Sequence, residues 1–308
     1  MLATDTLFLE TRMRRLLTLA LPALLIAAAP APKPLTPNDI VAAAPRSAWR
    51  PIAPDDLVLV DLEGGARVII QLAPTFAPVH VANIRLLAKS TYWQGAAVYR
   101  VQDNYVAQWG IGDVERSIPA GVIATPPAEY TRSLKGLAIR PMADRDAYAA
   151  KIGHTLGWPI AYDPRTGRAN LTHCYATVGV ARDLAPDTGS GGELYAIIGH
   201  APRQLDRNIA IVGRVIEGIE ALSALPRGTE ALGFYKDGRG ARPISRIRLV
   251  SSLAETERPS FEYLSETSAS FGQYLRLRAN RQDDFYRTAA GGVDVCNAAV
   301  PVRRTPKA

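Results

Sequence analysis

The first candidates for chemistry are an arginine and a glutamine, each within a short run that is otherwise mostly apolar. Arg100 lies in residues 97–101 and Gln108 lies in residues 105–108, with an Asp-Asn turn between the two runs. Charged side chains are rarely buried without a partner. Arg100 is therefore either half of a structural ion pair or a functional group, and Gln108 is either a satisfied core amide or a hydrogen-bonding group of a site.

Other residue types that could act as nucleophiles or ligands lack suitable neighbours. The histidines have no Cys or carboxylate at metal-ligand spacing, so no metal site is expected at His80, His154, His173 or His200. Adjacent residues of a strand point to opposite faces, so His173 and Cys174 cannot form a nucleophilic pair through that geometry. The run Gly189-Ser190-Gly191-Gly192 lacks the Lys-Ser/Thr of a phosphate loop and predicts a turn.

The chain has two cysteines, Cys174 and Cys296. In an oxidising compartment they could form a disulfide that ties the C-terminal segment to the core. Their spacing alone does not distinguish this pairing from two unconnected thiols.

Short strands and two helices must position these side chains. Residues 57–72 predict a hairpin around Gly64-Gly65, because two β-rich runs flank a Gly-Gly turn. Helices are predicted over 79–89 and over 217–225, the second stopped by a proline. Further short strands are predicted at 97–101, 105–108, 175–180, 193–198, 210–215 and 244–250.

This pattern predicts a mainly β fold, a barrel with helical caps. Long helices do not alternate with buried strands, so a doubly wound nucleotide-binding sheet is not expected. The chain of 308 residues is 47 % hydrophobic and 21 % charged, which is typical of a folded globular protein. Its 23 Pro and 24 Gly indicate many turns.

Two blocks of the sequence resemble the cyclophilin family of peptidyl-prolyl isomerases. The first block reads VIIQLAPTFAPVHVANIRLLAKSTYWQG and then AVYRVQDNYVAQWGIGD. The second block reads GELYAIIGHAPRQLDRNIAIVGRVIEGIEAL. They occur in the family's order, and the resemblance covers about residues 55–254.

The resemblance implies a closed eight-stranded antiparallel barrel capped by two helices, with a proline-binding groove on its outer face and no cofactor. The implied reaction is rotation about an X-Pro amide, which a resonance barrier of about 20 kcal/mol opposes. In the family an arginine donates a hydrogen bond to the imide nitrogen of the twisted amide, while an apolar pocket holds the proline ring.

Carried over position by position, the catalytic arginine corresponds to Arg100. The implied substrate contacts are Tyr105, Val106, Gln108, Glu193, Leu194, Tyr195 and Leu205. Tyr195 or Leu194 takes the place of the family's pocket phenylalanine. The pocket aromatic and leucine positions would also be half-buried in any barrel, so a structural role stands beside the functional one.

The chain departs from the family at several positions around the pocket. Tyr99 replaces the histidine before the arginine, and Trp109 follows the glutamine, where it would narrow or reshape the groove. Gly192-Glu193 replaces Ser-Gln, while Gln204 and Ile209 replace two frequent ring-bearing residues. These changes concern rate and sequence preference more than fold.

The N-terminus has the pattern of a signal peptide. Residues 12–15 contain three arginines, residues 16–29 are almost entirely apolar, and the run ends in three alanines. We therefore expect a signal peptide at 1–31 and a Pro/Ala-rich linker at 32–52. The expected location is exported, periplasmic, without stable membrane insertion after cleavage; a retained N-terminal anchor is the alternative.

Net charge gives little information about partners. The formal charge is +7, but the chain has no long basic run and no basic stripe interleaved with aromatics, so nucleic-acid binding is not expected. The isomerase domain is predicted at 53–254. Its insertion at 114–172 is interpreted as a solvated loop rather than a lid or docking surface. A partly helical extension at 255–308 would pack on the barrel or on a partner.

Two functions of different classes follow. The first is an exported peptidyl-prolyl cis-trans isomerase that acts on proline-containing polypeptide clients. The alternative is a catalytically weak module that binds proline-containing partner segments. Arg100 and Gln108 favour the enzyme, whereas the substituted pocket positions favour the binding module.

Overall fold

The computed structural model of the chain describes residues 34–112, 114–236, 240–283 and 285–306. The strands are β1 Trp49–Pro51, β2 Leu57–Leu62, β3 Arg67–Leu72, β4 Ala97–Val101, β5 Val106–Gly110, β6 Arg132–Ser133, β7 Arg140–Pro141, β8 Lys151–Thr155, β9 Trp158–Asp163, β10 Arg168–Leu171, β11 Thr177–Val180, β12 Leu194–Ile197, β13 Ile211–Glu217, β14 Arg242–Leu249, β15 Phe261–Leu264 and β16 Val302–Arg304. The helices are α1 Pro37–Ala43, α2 Pro78–Lys89, α3 Glu220–Ser223 and α4 Ala269–Ala279.

The predicted hairpin is present as β2 and β3, and its turn contains Gly64 and Gly65, both with a φ of 89°. Such positive φ angles favour glycine, which has no Cβ. Antiparallel pairing joins eight strands into a closed barrel in the order β11, β12, β5, β4, β14, β2, β3 and β13, and β13 pairs back to β11. The predicted eight-stranded barrel is confirmed.

Alternate residues of the barrel strands fill the interior, because side chains of a strand alternate between its two faces. These inward residues include Val58, Val60, Val68, Ile70, Val98, Ala107, Trp109, Val178, Leu194 and Ala196. Helix α2 packs on this core through Val81, Ile84 and Leu87, and α3 through Leu222. Helix α3 is shorter than predicted since β13 runs to Glu217 and the next residue, Gly218, has a φ of 85°.

The C-terminal extension packs directly on the barrel. Strands β1, β15 and β16 form a three-stranded sheet in which β15 is central. Phe261 of β15 packs against Leu57, Leu59 and Ile69 on the outer face of the hairpin. Both faces of β2 and β3 are therefore buried, which accounts for their nearly continuous apolar sequence.

The segment predicted as a Pro/Ala-rich linker contains ordered elements. Residues 37–43 form α1, whose N-cap Thr36 accepts a hydrogen bond from the Asp39 backbone while the Asp39 carboxylate accepts one from the Thr36 backbone. This reciprocal capping, with Pro37 at the first helical position, stabilises the start of the helix. Ile40 of α1 shares a small core with α4 of the extension.

The insertion is also more ordered than the sequence predicts. Residues 132–171 form a five-stranded antiparallel sheet in the order β6, β10, β9, β8, β7. Ile160 and Leu171 pack towards Phe76 beside the barrel, and Ile152 packs against the C-terminal segment near Val295. The interpretation as a merely solvated loop is therefore wrong for these strands, which are held on both sides.

A disulfide joins Cys174, just before β11, to Cys296 in the C-terminal segment. The two Cα atoms are 5.0 Å apart, and 122 positions separate the residues in sequence. The bond ties the extension to the barrel. The predicted signal peptide lies outside the described residues, and within the described ones we find no helix with the length and apolar character needed to span a membrane.

Candidate active site

An open groove with a volume of about 860 Å³ lies along the outer face of β4, β5 and β12. Most of the residues carried over from the resemblance line it: Arg100, Tyr105, Val106, Gln108, Glu193, Tyr195 and Leu205. Three of them form a row across neighbouring strands, because Gln108 pairs with Arg100 on one side and with Tyr195 on the other.

Leu194 and Trp109 do not line this groove, contrary to their predicted effects on it. Both side chains lie in the barrel core, 4 % and 2 % exposed. They pair with each other across β12 and β5, and each is one residue away from a groove residue. Strand alternation therefore turns both inward. The pocket aromatic of β12 is Tyr195, and Trp109 does not narrow the groove.

The Arg100 guanidinium is held by three hydrogen bonds. Its Nε donates to the Leu232 carbonyl at 2.8 Å, and its terminal nitrogens donate to Gln108 Oε1 at 2.8 Å and to Gln102 Oε1 at 2.6 Å. A guanidinium has five N–H donors. Within the described part of the chain, one N–H on each terminal nitrogen therefore remains for a bound substrate.

Aromatic rings flank the same guanidinium. Its central carbon lies 5.4 Å from the Phe234 ring centroid and 6.0 Å from that of Tyr105. Burial lowers the pKa of Arg100 from its ordinary value, and the tyrosines at 105 and 99 act in the opposite direction. An arginine side chain stays protonated at neutral pH even so. Among the described residues, no carboxylate forms an ion pair with Arg100. In this part of the chain, Arg100 is therefore not half of a structural ion pair.

Gln108 continues the hydrogen-bonded chain away from Arg100. Its Nε2 donates to the Tyr99 hydroxyl at 2.6 Å, and that hydroxyl donates to Glu193 Oε2 at 2.7 Å. The other carboxylate oxygen of Glu193 accepts from the Ile111 backbone at 2.9 Å. Burial, followed by the Glu193 carboxylate, raises the pKa of Tyr99 far above its ordinary value, so the phenol keeps its proton.

Tyr99 reaches the groove through a β-bulge. The register between β4 and β5 shifts between Val98 and Arg100, which leaves Tyr99 as the extra residue. A bulge bends its strand and redirects a side chain. Tyr99 and its neighbour Arg100 can therefore both face the groove, although simple alternation would place them on opposite faces.

A second hydrogen-bonded network holds the hydroxyl of Tyr195, and its residue His173 lies outside the groove lining. Its hydroxyl lies 3.1 Å from His173 Nε2, and His173 Nδ1 lies 2.9 Å from Asp206 Oδ1. Arg203 donates to Asp206 at 2.6 Å. The His173 side chain is fully buried and that of Asp206 is 4 % exposed. This arrangement holds the Tyr195 ring in place, and both ring nitrogens of His173 have hydrogen-bond partners in it.

The groove also has an apolar part. Val106 and Tyr195 pack in one cluster with Tyr105 and Ile209 at its margin, and Leu205 completes the wall of the groove. Apolar and aromatic surface beside free N–H donors can hold an apolar ring while a neighbouring amide is hydrogen-bonded. No cluster of three or more His, Cys, Asp or Glu suited to a metal ion occurs in the described part of the chain.

Sequence reasoning missed Phe234, and it treated Tyr99 only as a departure. Phe234 belongs to a segment that folds back along β4, since Arg100 and Phe234 form an isolated β-bridge. Its ring stacks on Tyr99, with centroids 6.0 Å apart and planes at 17°. Phe234 lies in a polar, Gly-containing run outside both matching blocks, so no sequence signal pointed to it.

Comparisons with known proteins agree with this fold. Residues 57–252 match the family model "Cyclophilin type peptidyl-prolyl cis-trans isomerase/CLD". Proteins named "Probable peptidyl-prolyl cis-trans isomerase" from Brucella suis and from Brucella melitensis are each 25 % identical over 181 residues, which is 58 % of this chain and 75 % of each relative.

The crystal structure of cyclophilin AquaCyp293 from Hirschia baltica is similar to this structure, with a TM-score of 0.63 and 22 % sequence identity. The alignment covers 89 % of this chain and 100 % of that one, so the likeness in fold extends beyond the barrel. Since the family model matches well over half of the sequence, the chain belongs to the cyclophilin-type peptidyl-prolyl cis-trans isomerases.

Proposed function

We propose that the groove accelerates cis-trans rotation about X-Pro bonds, with Arg100 as the catalytic residue. The barrier of about 20 kcal/mol comes from conjugation of the imide nitrogen with its carbonyl. When the bond twists, the nitrogen regains a lone pair and becomes a better hydrogen-bond acceptor. A donor fixed at that position stabilises the twisted state more than either planar state, and so lowers the barrier.

The observation that carries this proposal is the way Arg100 is held. Three of its N–H groups are satisfied by protein acceptors, which fix the plane of the guanidinium. As far as the described residues go, one N–H on each terminal nitrogen remains, in the groove that Val106 and Leu205 also line. Because the donors are already oriented, little reorganisation is needed when the substrate amide twists.

Gln108 has a supporting role in substrate binding. An amide side chain has two N–H donors and two lone pairs on its oxygen. Among the described residues, Arg100 uses one lone pair and Tyr99 uses one N–H, so one of each remains for the backbone of a bound peptide. Tyr105, Tyr195 and Leu205 would contact the proline ring.

Exchange NMR on a short Ala-Pro peptide tests the proposal, with wild-type protein and the Arg100→Ala variant. We expect the wild type to raise the exchange rate and the variant to lose at least about 100-fold in kcat/KM, the usual scale for removing one donor to a transition state. A wild type that binds the peptide without changing its exchange rate would establish the catalytically weak binding module instead.

We further propose that the protein is exported and acts on proline-containing segments of other exported polypeptides. The disulfide between Cys174 and Cys296 supports this location, because such bonds persist mainly in oxidising compartments. The signal-like N-terminus supports it as well. Fractionation of cells with an antibody to the folded domain, together with N-terminal sequencing of the mature protein, tests the proposal; intact protein in the cytosolic fraction would contradict it.

A further inference from the structure

Glu193 is packed tightly against the strand that carries Gln108. A Cβ at Gly110 would overlap the Glu193 carboxylate, so the carboxylate occupies space that a larger residue would fill. Its two oxygens accept from two different donors, the Ile111 backbone at 2.9 Å and the Tyr99 hydroxyl at 2.7 Å. A carboxylate can accept at both oxygens, whereas the isosteric amide of glutamine has a single oxygen.

The proton positions along this chain allow one arrangement. Arg100 can only donate, so the Gln108 atom that faces it must be the oxygen Oε1. Gln108 then presents Nε2 to the Tyr99 hydroxyl, which must accept. The hydroxyl gives its own proton to Glu193. If Glu193 could not accept, the Tyr99 proton would compete with Arg100 for Oε1 of Gln108, and the orientation of the amide would be less firmly fixed.

We propose that Tyr99 and Glu193 are positioning residues that set the orientation of the Gln108 amide, and through it the guanidinium of Arg100. This inference rests on the proposed function and deepens it. Neither residue needs to touch the substrate. Their effect is to keep Oε1 of Gln108 on Arg100 and to leave one N–H of Gln108 free for the peptide backbone.

The proposal predicts that the isosteric substitution Glu193→Gln lowers the rate of catalysis. Glu193→Gln must present its one oxygen to the obligate donor Ile111 N, and therefore turns its NH₂ group to Tyr99. We expect it to lower kcat by about tenfold, as much as Tyr99→Phe, while Glu193→Asp retains more activity than Glu193→Gln. Because the residues act through one another, the double variant Tyr99→Phe/Glu193→Gln should be no slower than either single variant.

The test combines peptide exchange rates with the side-chain NH₂ signals of Gln108 in ¹H–¹⁵N spectra of the full mature chain. Tyr274→Phe is the matched control, since it likewise removes only a tyrosine hydroxyl, one that donates to the Ala299 carbonyl at 2.8 Å in the extension. It should leave the rates and the Gln108 signals unchanged. Tyr99→Phe and Glu193→Gln should shift those signals, and the fall in kcat should be larger than any rise in KM.

Two other outcomes are informative. Unchanged Gln108 signals in Glu193→Gln, or a kcat within twofold of an active wild type, would overturn the proposal. If the wild type itself is inactive, the proposed function fails. The Gln108 signals alone then test whether Tyr99 and Glu193 orient the Gln108 amide. Shifts in both Tyr99→Phe and Glu193→Gln would support that orientation.

Discussion

Asp146 of the insertion and Arg203 beside the groove form an ion pair in which the two side chains are only 4 % and 3 % exposed. Both terminal nitrogens of Arg203 donate to the Asp146 carboxylate, at 2.9 and 3.1 Å. Arg203 lies in the short 3-10 turn that contains Leu205, a residue of the groove wall. The insertion thus supports one wall of the groove.

Asp146→Asn should destabilise the protein by about 3 kcal/mol, because removing one charge of a buried pair leaves the other without full compensation. Urea unfolding measures this change. The control is Asp103→Asn, whose partner Arg227 forms an exposed pair, with side chains 40 % and 78 % exposed for Arg227 and Asp103. That change should leave the free energy of unfolding nearly unchanged, because the pair is exposed to solvent. If Asp146→Asn lowered the free energy of unfolding no more than Asp103→Asn does, the buried pair would not support the fold.

The disulfide should contribute about 4 kcal/mol to the free energy of unfolding, since it closes a long loop in the unfolded chain. A reducing agent is expected to lower the Tm of the wild type and to have no effect on the Cys174→Ser/Cys296→Ser variant. Alkylation of the denatured, unreduced protein checks the bond itself. Two alkylated cysteines in material recovered from the periplasm would refute it.

His154 should make the fold less stable in mild acid. Burial lowers the pKa of His154 to about 4, although a hydrogen bond to the Ala298 carbonyl acts in the opposite direction. Between pH 6.5 and 4 the unfolded chain therefore binds a proton at this position that the folded chain does not. Stability falls as pH falls through this window, by about 2 kcal/mol from pH 7.5 to pH 5.

The measurement is urea unfolding at the two pH values. His154→Gln should lose about 2 kcal/mol less than the wild type over this interval. His200→Gln is the matched control, because His200 is exposed, and it should keep the wild-type pH dependence. If His154→Gln kept that dependence as well, the acid sensitivity would have to come from other groups.

Phe234 should affect catalysis through Arg100. Its ring lies 5.4 Å from the guanidinium carbon and covers one side of it. Phe234→Ala is expected to lower kcat/KM by about fivefold, which corresponds to the roughly 1 kcal/mol of a partly exposed cation–π contact. Phe285→Ala removes an aromatic side chain that is 82 % exposed and lies outside the groove lining. The same kinetic assay should find it equal to the wild type.

Local sequence patterns predicted the barrel well because strand alternation and turn residues are local properties. The Gly64-Gly65 hairpin and helix α2 were confirmed, and all groove residues carried over from the resemblance except Leu194 line the groove. The same alternation would have placed Leu194 and Trp109 inward, next to outward-facing neighbours. The assignment of these two residues to the groove used only their correspondence to family positions and not strand alternation.

Other features depend on long-range packing. The bulge at Tyr99 arises from the pairing of two strands, and alternation within β4 cannot reveal it. The linker prediction followed Pro and Ala content, although Thr36, Pro37 and Asp39 form a capping pattern that indicates a helix start. The insertion sheet has short strands, and its order comes from burial against Phe76 and Val295.

The strand order has a consequence for the time at which the chain can fold. Strand β2, which begins at Leu57, pairs with β14, which is complete only at Leu249. Strand β15 is flanked by β1 and by β16, whose last residue is Arg304. These contacts join distant parts of the chain and form late. The final sheet cannot be completed until residue 304 has left the ribosome, so a growing chain keeps the edge of β15 that faces β16 unpaired until then.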